Sequence, residues 1–139
     1  MFEREQEIPL PYSWEGIIWE EAPYERVFLK ILREKIDPVG SSIPRFTLMA
    51  LKVLPGGSIP LHLHTREAGW TETLTFPAGS QFTVLRDDSE EQIIAESRMT
   101  LTIAAEEVFG IRNDDSVRTL FFTSLMRPGF TGYEEIKAA

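Results

Sequence analysis

The chain has 139 residues, of which 42% are hydrophobic and 26% are charged, as is typical of one soluble domain with its own core. Its 14 basic and 22 acidic side chains give a net charge of −8, which argues against nucleic acid or a membrane surface as a partner, because both carry negative charge. The chain contains no cysteine, so disulfide bonds and thiolate chemistry are excluded.

The N-terminal residues 1–13 are charged or contain proline and are expected to form an extended arm. The arm lacks the basic and apolar stretches of a signal peptide, and no apolar run approaches the ~18 residues of a membrane helix. A cytoplasmic location is therefore the default expectation. Residues 16–19 form either a first strand or, as we favour, an apolar segment that closes one end of the core.

Residues 27–36 are ambiguous, because their apolar positions fit both a helical stripe and the alternation of a strand. Turn-forming residues at 37–42 and a clear strand beyond them favour a β-hairpin. Residues 110–116 are expected to form a turn, and residues 131–139 a tail with one helical turn. Further strands are expected at residues 45–54, 59–64, 72–76, 81–86, 92–95, 98–103 and 117–126.

Short strands that are separated by Gly, Pro, Asn or Asp about every 8 to 12 residues predict an antiparallel sandwich or barrel. A double-sheet jelly roll is one way to bury such strands while protecting their edges. We therefore expect an all-β fold in a single domain that spans residues 1–139.

The only histidines, His62 and His64, lie two positions apart in a predicted strand. Residues i and i+2 of a strand point to the same face, so both imidazoles are expected to project together. Imidazole is the commonest side-chain metal ligand near neutral pH. Glu72 opens the next predicted strand and can bring a carboxylate beside the pair. Two imidazoles and a carboxylate form a metal-binding triad that leaves coordination positions open.

A regular pleat from residue 59 onwards predicts two different faces for this strand. Pro60, His62 and His64 would share one face, and Ile59, Leu61 and Leu63 the other. This alternation suits a strand whose histidine face lines a polar-centred cavity while its leucine face packs on a second layer or subunit.

The stretch from Gly56 to Gly79 resembles the first motif of the cupins, which reads glycine, five residues, His-x-His, three or four residues, Glu, six residues, glycine. Every position fits except the gap between His64 and Glu72, which has seven residues and adds a small loop at 66–70. Glu67 is an alternative carboxylate, but it would break the six-residue spacing to Gly79, so Glu72 is preferred.

The second cupin motif usually reads glycine, five residues, Pro-x-Gly, two residues, His, three residues, Asn. In residues 104–113 Asn113 matches, but Ala104, Glu106 and Phe109 stand where proline, glycine and the fourth ligand, histidine, are expected. Since the chain has no third histidine, the four-ligand version of the site is excluded.

The resemblance implies a jelly-roll barrel, also called a double-stranded β-helix, that commonly forms homodimers. It implies a divalent metal ion, with iron, manganese, nickel and zinc not distinguished, held by His62, His64 and Glu72. The implied activity is a dioxygenase- or isomerase-like reaction on a small organic molecule. The alternatives are a non-catalytic small-ligand-binding or sensor cupin with little or no metal, and a structural dimer whose barrel has lost its ligands.

Five large side chains are candidates for the wall of a pocket that holds an apolar small molecule. Trp70, next to Gly69 in the added loop, is also a candidate lid. The five are Met49, Trp70, Phe76, Phe109 and Phe122.

Each candidate also has a purely structural interpretation. Aromatic residues at alternating strand positions are more often core, a glutamate that opens a strand is more often solvated, and barrel histidines can simply be hydrogen-bonded. Arg98 and Arg112 are candidates for anchoring a substrate carboxylate, although solvated surface arginines are commoner.

Overall fold

The computed structural model describes residues 10–11, 13–35, 46–63, 70–104 and 107–128 of the chain. Within these ranges all regular structure is β, which confirms the predicted fold class. The described residues contain no helix that is long and apolar enough to cross a membrane. The strands are β1 (Glu20–Glu21), β2 (Val27–Lys35), β3 (Phe46–Val53), β4 (Ser58–Leu63), β5 (Trp70–Phe76), β6 (Gln81–Leu85), β7 (Glu90–Ile94), β8 (Met99–Ile103), β9 (Val108–Arg112) and β10 (Leu120–Pro128).

The described strands pair into two antiparallel sheets. One sheet has six strands in the order β1-β2-β3-β10-β5-β8, and the other has four in the order β4-β9-β6-β7. Neighbours in space are often distant in sequence, because β10 inserts between β3 and β5. This arrangement brings residues from the middle and the end of the chain together on one inner face.

The apolar core lies between the two sheets and contains Phe76 at its centre. This ring is fully buried and stacks on Phe82 of the smaller sheet, with centroids 3.9 Å apart, and on Phe122 of the larger sheet, with centroids 4.7 Å apart. Stacked aromatic pairs add to the stabilisation that area burial alone provides. Phe76 therefore joins the two sheets.

Two glycines of the first motif lie where the backbone turns between strands. Gly56 joins β3 to β4 with φ +79°, and Gly79 joins β5 to β6 with φ +89°. Residues with a side chain rarely adopt this left-handed conformation, whereas glycine does so without strain. The motif therefore has glycine at these two positions because the backbone there adopts a positive φ.

Asn113, the one clear match to the second motif, fixes the end of β9 to the turn before β4. Its buried amide nitrogen donates to the carbonyl oxygens of Val53 and Arg118, and its backbone exchanges hydrogen bonds with Gly56 and Gly57. The residue therefore ties three chain segments together.

The described part decides several of the sequence expectations. The ambiguous segment at 27–36 is a strand, because pairing with β3 decides between its two possible periodicities. Residues 16–19 form no strand, and Trp19 packs against Phe121. No strand was expected at 108–112, and the turn expected at 110–116 is wrong at its start, since β9 covers Val108–Arg112. The turn at 37–42, the tail at 131–139 and most of the arm at 1–13 lie outside the described residues.

Candidate functional site

A cavity of about 400 Å³ lies between the two sheets. This volume is within the range of small-molecule sites in proteins. Most of the lining is aliphatic or aromatic, and the described lining residues include no Lys, Arg or His. They are Ala22, Pro23, Tyr24, Val27, Leu29, Met49, Leu51, Ile59, Glu72, Leu74, Phe109, Ile111 and Phe122.

Glu72 is the charged residue of this described lining, and only 2% of it is exposed. It lies inside β5 rather than at the start of a strand, because β5 begins at Trp70 and is flanked by β10 and β8. The solvated alternative for this glutamate is therefore wrong. Its neighbours in register are Met126 and Ile103, so the carboxylate comes from the middle of a sheet.

Ser124 supplies a hydrogen bond to this carboxylate from the neighbouring strand β10. Its Oγ donates to Oε2 of Glu72 over 2.5 Å, and the serine is completely buried. Sequence analysis missed Ser124. The available indication was its spacing from Phe122, because residues two positions apart on a strand point to the same face. A polar residue on a buried face needs a hydrogen-bond partner.

The register of β4 differs from the regular pleat that the sequence predicts. Ile59 pairs with Ile111, whereas His62 pairs with Phe109, so β4 carries one extra residue between these pairs. A bulge of this kind breaks the alternation of faces. The prediction that Ile59 faces away from the site is wrong, because Ile59 is buried and lines the cavity.

The two histidines are only partly within the described structure. The backbone of His62 is described and lies opposite Phe109, whereas its side chain and the whole of His64 are outside the described residues. Glu67 is outside them as well. Among the described residues, no group of three His, Cys, Asp or Glu side chains could hold a metal ion.

Solved structures with this arrangement of strands come from bacteria and fungi. The cupin domain of Cnp3 from Schizosaccharomyces pombe matches with a TM-score of 0.63 and 9% identity, over 93% of this chain and 80% of that one. The polyketide cyclase RemF from Streptomyces resistomycificus matches with a TM-score of 0.59 and 21% identity, over 86% and 80%. The chain has the cupin fold.

A third neighbour is a cupin domain that belongs to a transcriptional regulator. It is the Cupin_2 domain of an XRE family transcriptional regulator from Enterobacter cloacae, with a TM-score of 0.54 and 20% identity over 73% of this chain and 96% of that one. At the level of sequence, no family model matches the chain, and the comparison with curated proteins gives no match. These likenesses establish the fold and leave the function open.

In this cupin fold, three of the five candidate wall residues line the cavity. Met49, Phe109 and Phe122 come from three different strands, and Phe109 is 3% exposed. Phe76 is part of the stacked core instead of the lining. Trp70 is the first residue of β5 rather than part of a loop, and its side chain lies outside the described part.

Arg112 lies in a surface network away from the cavity lining. Its guanidinium bonds Glu90 at 3.0 Å and Asp114 at 2.6 Å, and Thr83 donates a further hydrogen bond to Asp114. The Arg112 hydrogen bonds lower the pKa of the Asp114 and Glu90 carboxyls, and these carboxyls raise the pKa of Arg112. Arg112 is therefore already paired on the surface and does not anchor a ligand in the cavity.

Proposed function

We propose that this protein binds a small, mainly apolar organic molecule in the cavity and acts on it with a divalent metal ion held by His62, His64 and Glu72. The observation that carries the proposal is the Glu72 carboxylate, buried inside a cavity of otherwise mostly apolar lining. A carboxylate in such surroundings loses its hydration, and proteins compensate this loss with hydrogen bonds, opposite charge or a metal ion.

The donor chemistry of the site is compatible with such an ion. Carboxylate oxygen and imidazole nitrogen are both ligands of zinc and of non-haem iron. Position 62 is in register with Phe109, which is itself a cavity residue, and this supports a place for the first histidine beside the cavity. The place of His64 rests on the sequence motif alone.

The chain's own residues would bind and shield the substrate. A bound metal ion would supply Lewis acidity that polarises a substrate oxygen. Phe109 stands where the cupin motif has a fourth ligand and cannot coordinate, so three protein ligands would remain. The aliphatic and aromatic lining would hold the apolar body of the substrate and exclude water from the polar end at Glu72, whose carboxylate accepts a hydrogen bond from Ser124.

The structural neighbours are compatible with catalysis and with sensing. RemF is named a polyketide cyclase, whereas the Enterobacter cloacae domain belongs to a transcriptional regulator. A non-catalytic small-ligand-binding cupin is therefore the second candidate, and the apolar lining with Phe109 at the fourth ligand position favours it. A homodimer in the cytoplasm is part of either proposal.

Metal analysis tests the first candidate. The protein is purified without a metal-affinity tag or chelator, and its metal content is compared with that of His62→Ala/His64→Ala and Glu72→Gln. Glu91→Gln, at an exposed residue of β7, is the matched control. We expect stoichiometric metal in the wild type and the control and loss in both site variants. Absence of stoichiometric metal from the wild type, even after incubation with zinc, manganese, iron(II) or nickel salts, would overturn the metal proposal.

Binding of apolar probes tests the second candidate. If the metal-free protein still binds a neutral naphthalene-sized probe, and Met49→Trp abolishes this binding by filling the cavity, the site works as a ligand-binding cavity without a metal ion. If no probe binds in either form, the cavity has no ligand role of this kind.

A further inference from the structure

We propose that Ser124 is a positioning residue, whose hydroxyl holds the Glu72 carboxylate in the orientation that binds metal. This inference rests on the proposed metal site. Residues that orient a ligand through a hydrogen bond influence metal affinity without touching the ion.

The contact joins two strands whose relative position is fixed by the sheet. β10 pairs with β5, with Ser124 opposite Leu74 and Met126 opposite Glu72, so the serine lies diagonally across from the glutamate on the same inner face. The backbone ladder therefore sets the distance between the hydroxyl and the carboxylate. A serine side chain has one rotatable bond before its oxygen, which makes it a precise donor at short range.

The hydrogen bond engages one carboxylate oxygen, Oε2, over 2.5 Å. The residue directly opposite Glu72 on β10 is Met126, which carries no hydroxyl or N–H donor in its side chain. Ser124 is therefore the β10 side chain that holds Oε2 of the carboxylate. Loss of this hydroxyl removes one restraint on the Glu72 rotamer, so metal binding has to supply that restraint itself.

The next residue on the same strand provides a matched control. Thr123 is also completely buried, but it points to the opposite face of the sheet, and its Oγ1 has no hydrogen-bond partner among the described residues. Thr123→Val removes a buried hydroxyl of the same strand without touching Glu72. A change in metal affinity that results merely from the loss of a buried hydroxyl would appear in Thr123→Val as well as in Ser124→Val.

The experiment compares two substitutions that are isosteric with each other, Ser124→Thr and Ser124→Val. Both add bulk at the same place, but only threonine retains the hydroxyl, so a packing disturbance is common to the pair. Affinities for Zn²⁺ and Co²⁺ are measured by competition with a chromophoric chelator, and the visible absorption of the Co²⁺ form reports the coordination geometry.

We expect Ser124→Val to bind both ions about 10- to 100-fold more weakly than Ser124→Thr, with an altered Co²⁺ spectrum. Thr123→Val should match the wild type in affinity and spectrum. If the wild type binds metal and the valine and threonine variants bind it equally, Ser124 has no positioning role and the metal site stands. If the wild type binds no metal, the proposed function itself fails.

Discussion

Replacement of the buried carboxylate by an apolar side chain should stabilise the metal-free protein. A Glu72→Met/Ser124→Ala double variant removes the desolvated carboxylate together with the hydroxyl that donates to its Oε2, and methionine fills a similar volume. Replacing a buried polar pair by well-packed apolar residues is often neutral or stabilising. Stability is commonly lost in this way where a site needs a strained or destabilising group for its activity.

The magnitude follows from the contact between the two residues. Ser124→Ala alone loses a hydrogen bond to a charged group, which is worth about 1.5–3 kcal/mol. Glu72→Met alone removes the cost of burying the carboxylate but leaves the buried serine hydroxyl without its acceptor, which costs about 1–3 kcal/mol. The double variant avoids both penalties and should gain about 1–4 kcal/mol over the wild type.

The free energy of unfolding is measured by urea titration in the presence of EDTA at about pH 7 for the wild type, the two single variants and the double variant. In a second series of titrations, Zn²⁺ at a free concentration of about 100 times its Kd should stabilise the wild type by about 2.7 kcal/mol and leave the stability of the double variant unchanged. A double variant that is no more stable than the wild type in EDTA would refute the argument, because burial of the carboxylate would then carry no net cost.

Three further predictions concern the framework of the site. Phe76→Ala should lower the free energy of unfolding by about 3–5 kcal/mol in urea titrations, because the ring joins the two sheets, and Phe121→Ala on the outer face should cost less. Asn113→Ala should cost about 2–4 kcal/mol in the same assay, at about 1 kcal/mol for each of the three hydrogen bonds of its amide. The Asp114 and Glu90 carboxyls have a lowered pKa in the folded state because they bond Arg112. Their contribution to the free energy of unfolding is therefore complete above the ordinary carboxyl pKa and is lost as the pH falls through the lowered pKa values of the folded state. Arg112→Met should therefore flatten the loss of stability between about pH 5 and pH 3, and an unchanged slope in chemical unfolding would contradict this.

The sequence predicted most of the described strands, because their alternation and the turn residues between them follow from local physics, but it did not predict β1 or β9. The first motif could also be placed, since Gly56 and Gly79 occupy backbone conformations that favour glycine. Residues 110–112 of β9 were instead assigned to a turn. Gly110 resembles a turn residue in sequence, but Ile111 beyond it is completely buried and pairs with both neighbouring strands, and this tertiary pairing extends the strand.

The details of the site depend on contacts between distant strands, which one sequence does not reveal. The bulge in β4 puts Ile59 on the cavity side and arises from its pairing with β9. Whether an inward-facing aromatic residue lines the cavity or fills the core depends on the side chain opposite it on the other sheet. Phe76 fills the core because it stacks on Phe82. The bond from Ser124 to Glu72 spans 52 positions in the chain, so only the sheet order brings the two together.

The register of β9 against β4 allows a direct test of where a metal ion would lie. Phe109 is buried, lines the cavity and pairs with His62, at the position where the cupin motif has its fourth ligand. If His62 and Glu72 bind a metal ion, Phe109→His should add a ligand and tighten Zn²⁺ binding by about tenfold or more, or about 1.4 kcal/mol. Phe122→His is the matched control, because Phe122 is equally buried and lines the same cavity from the opposite sheet. If both variants bind Zn²⁺ with the affinity of the wild type, or if both gain affinity equally, the competition titrations would show that the ion does not lie beside His62 and position 109.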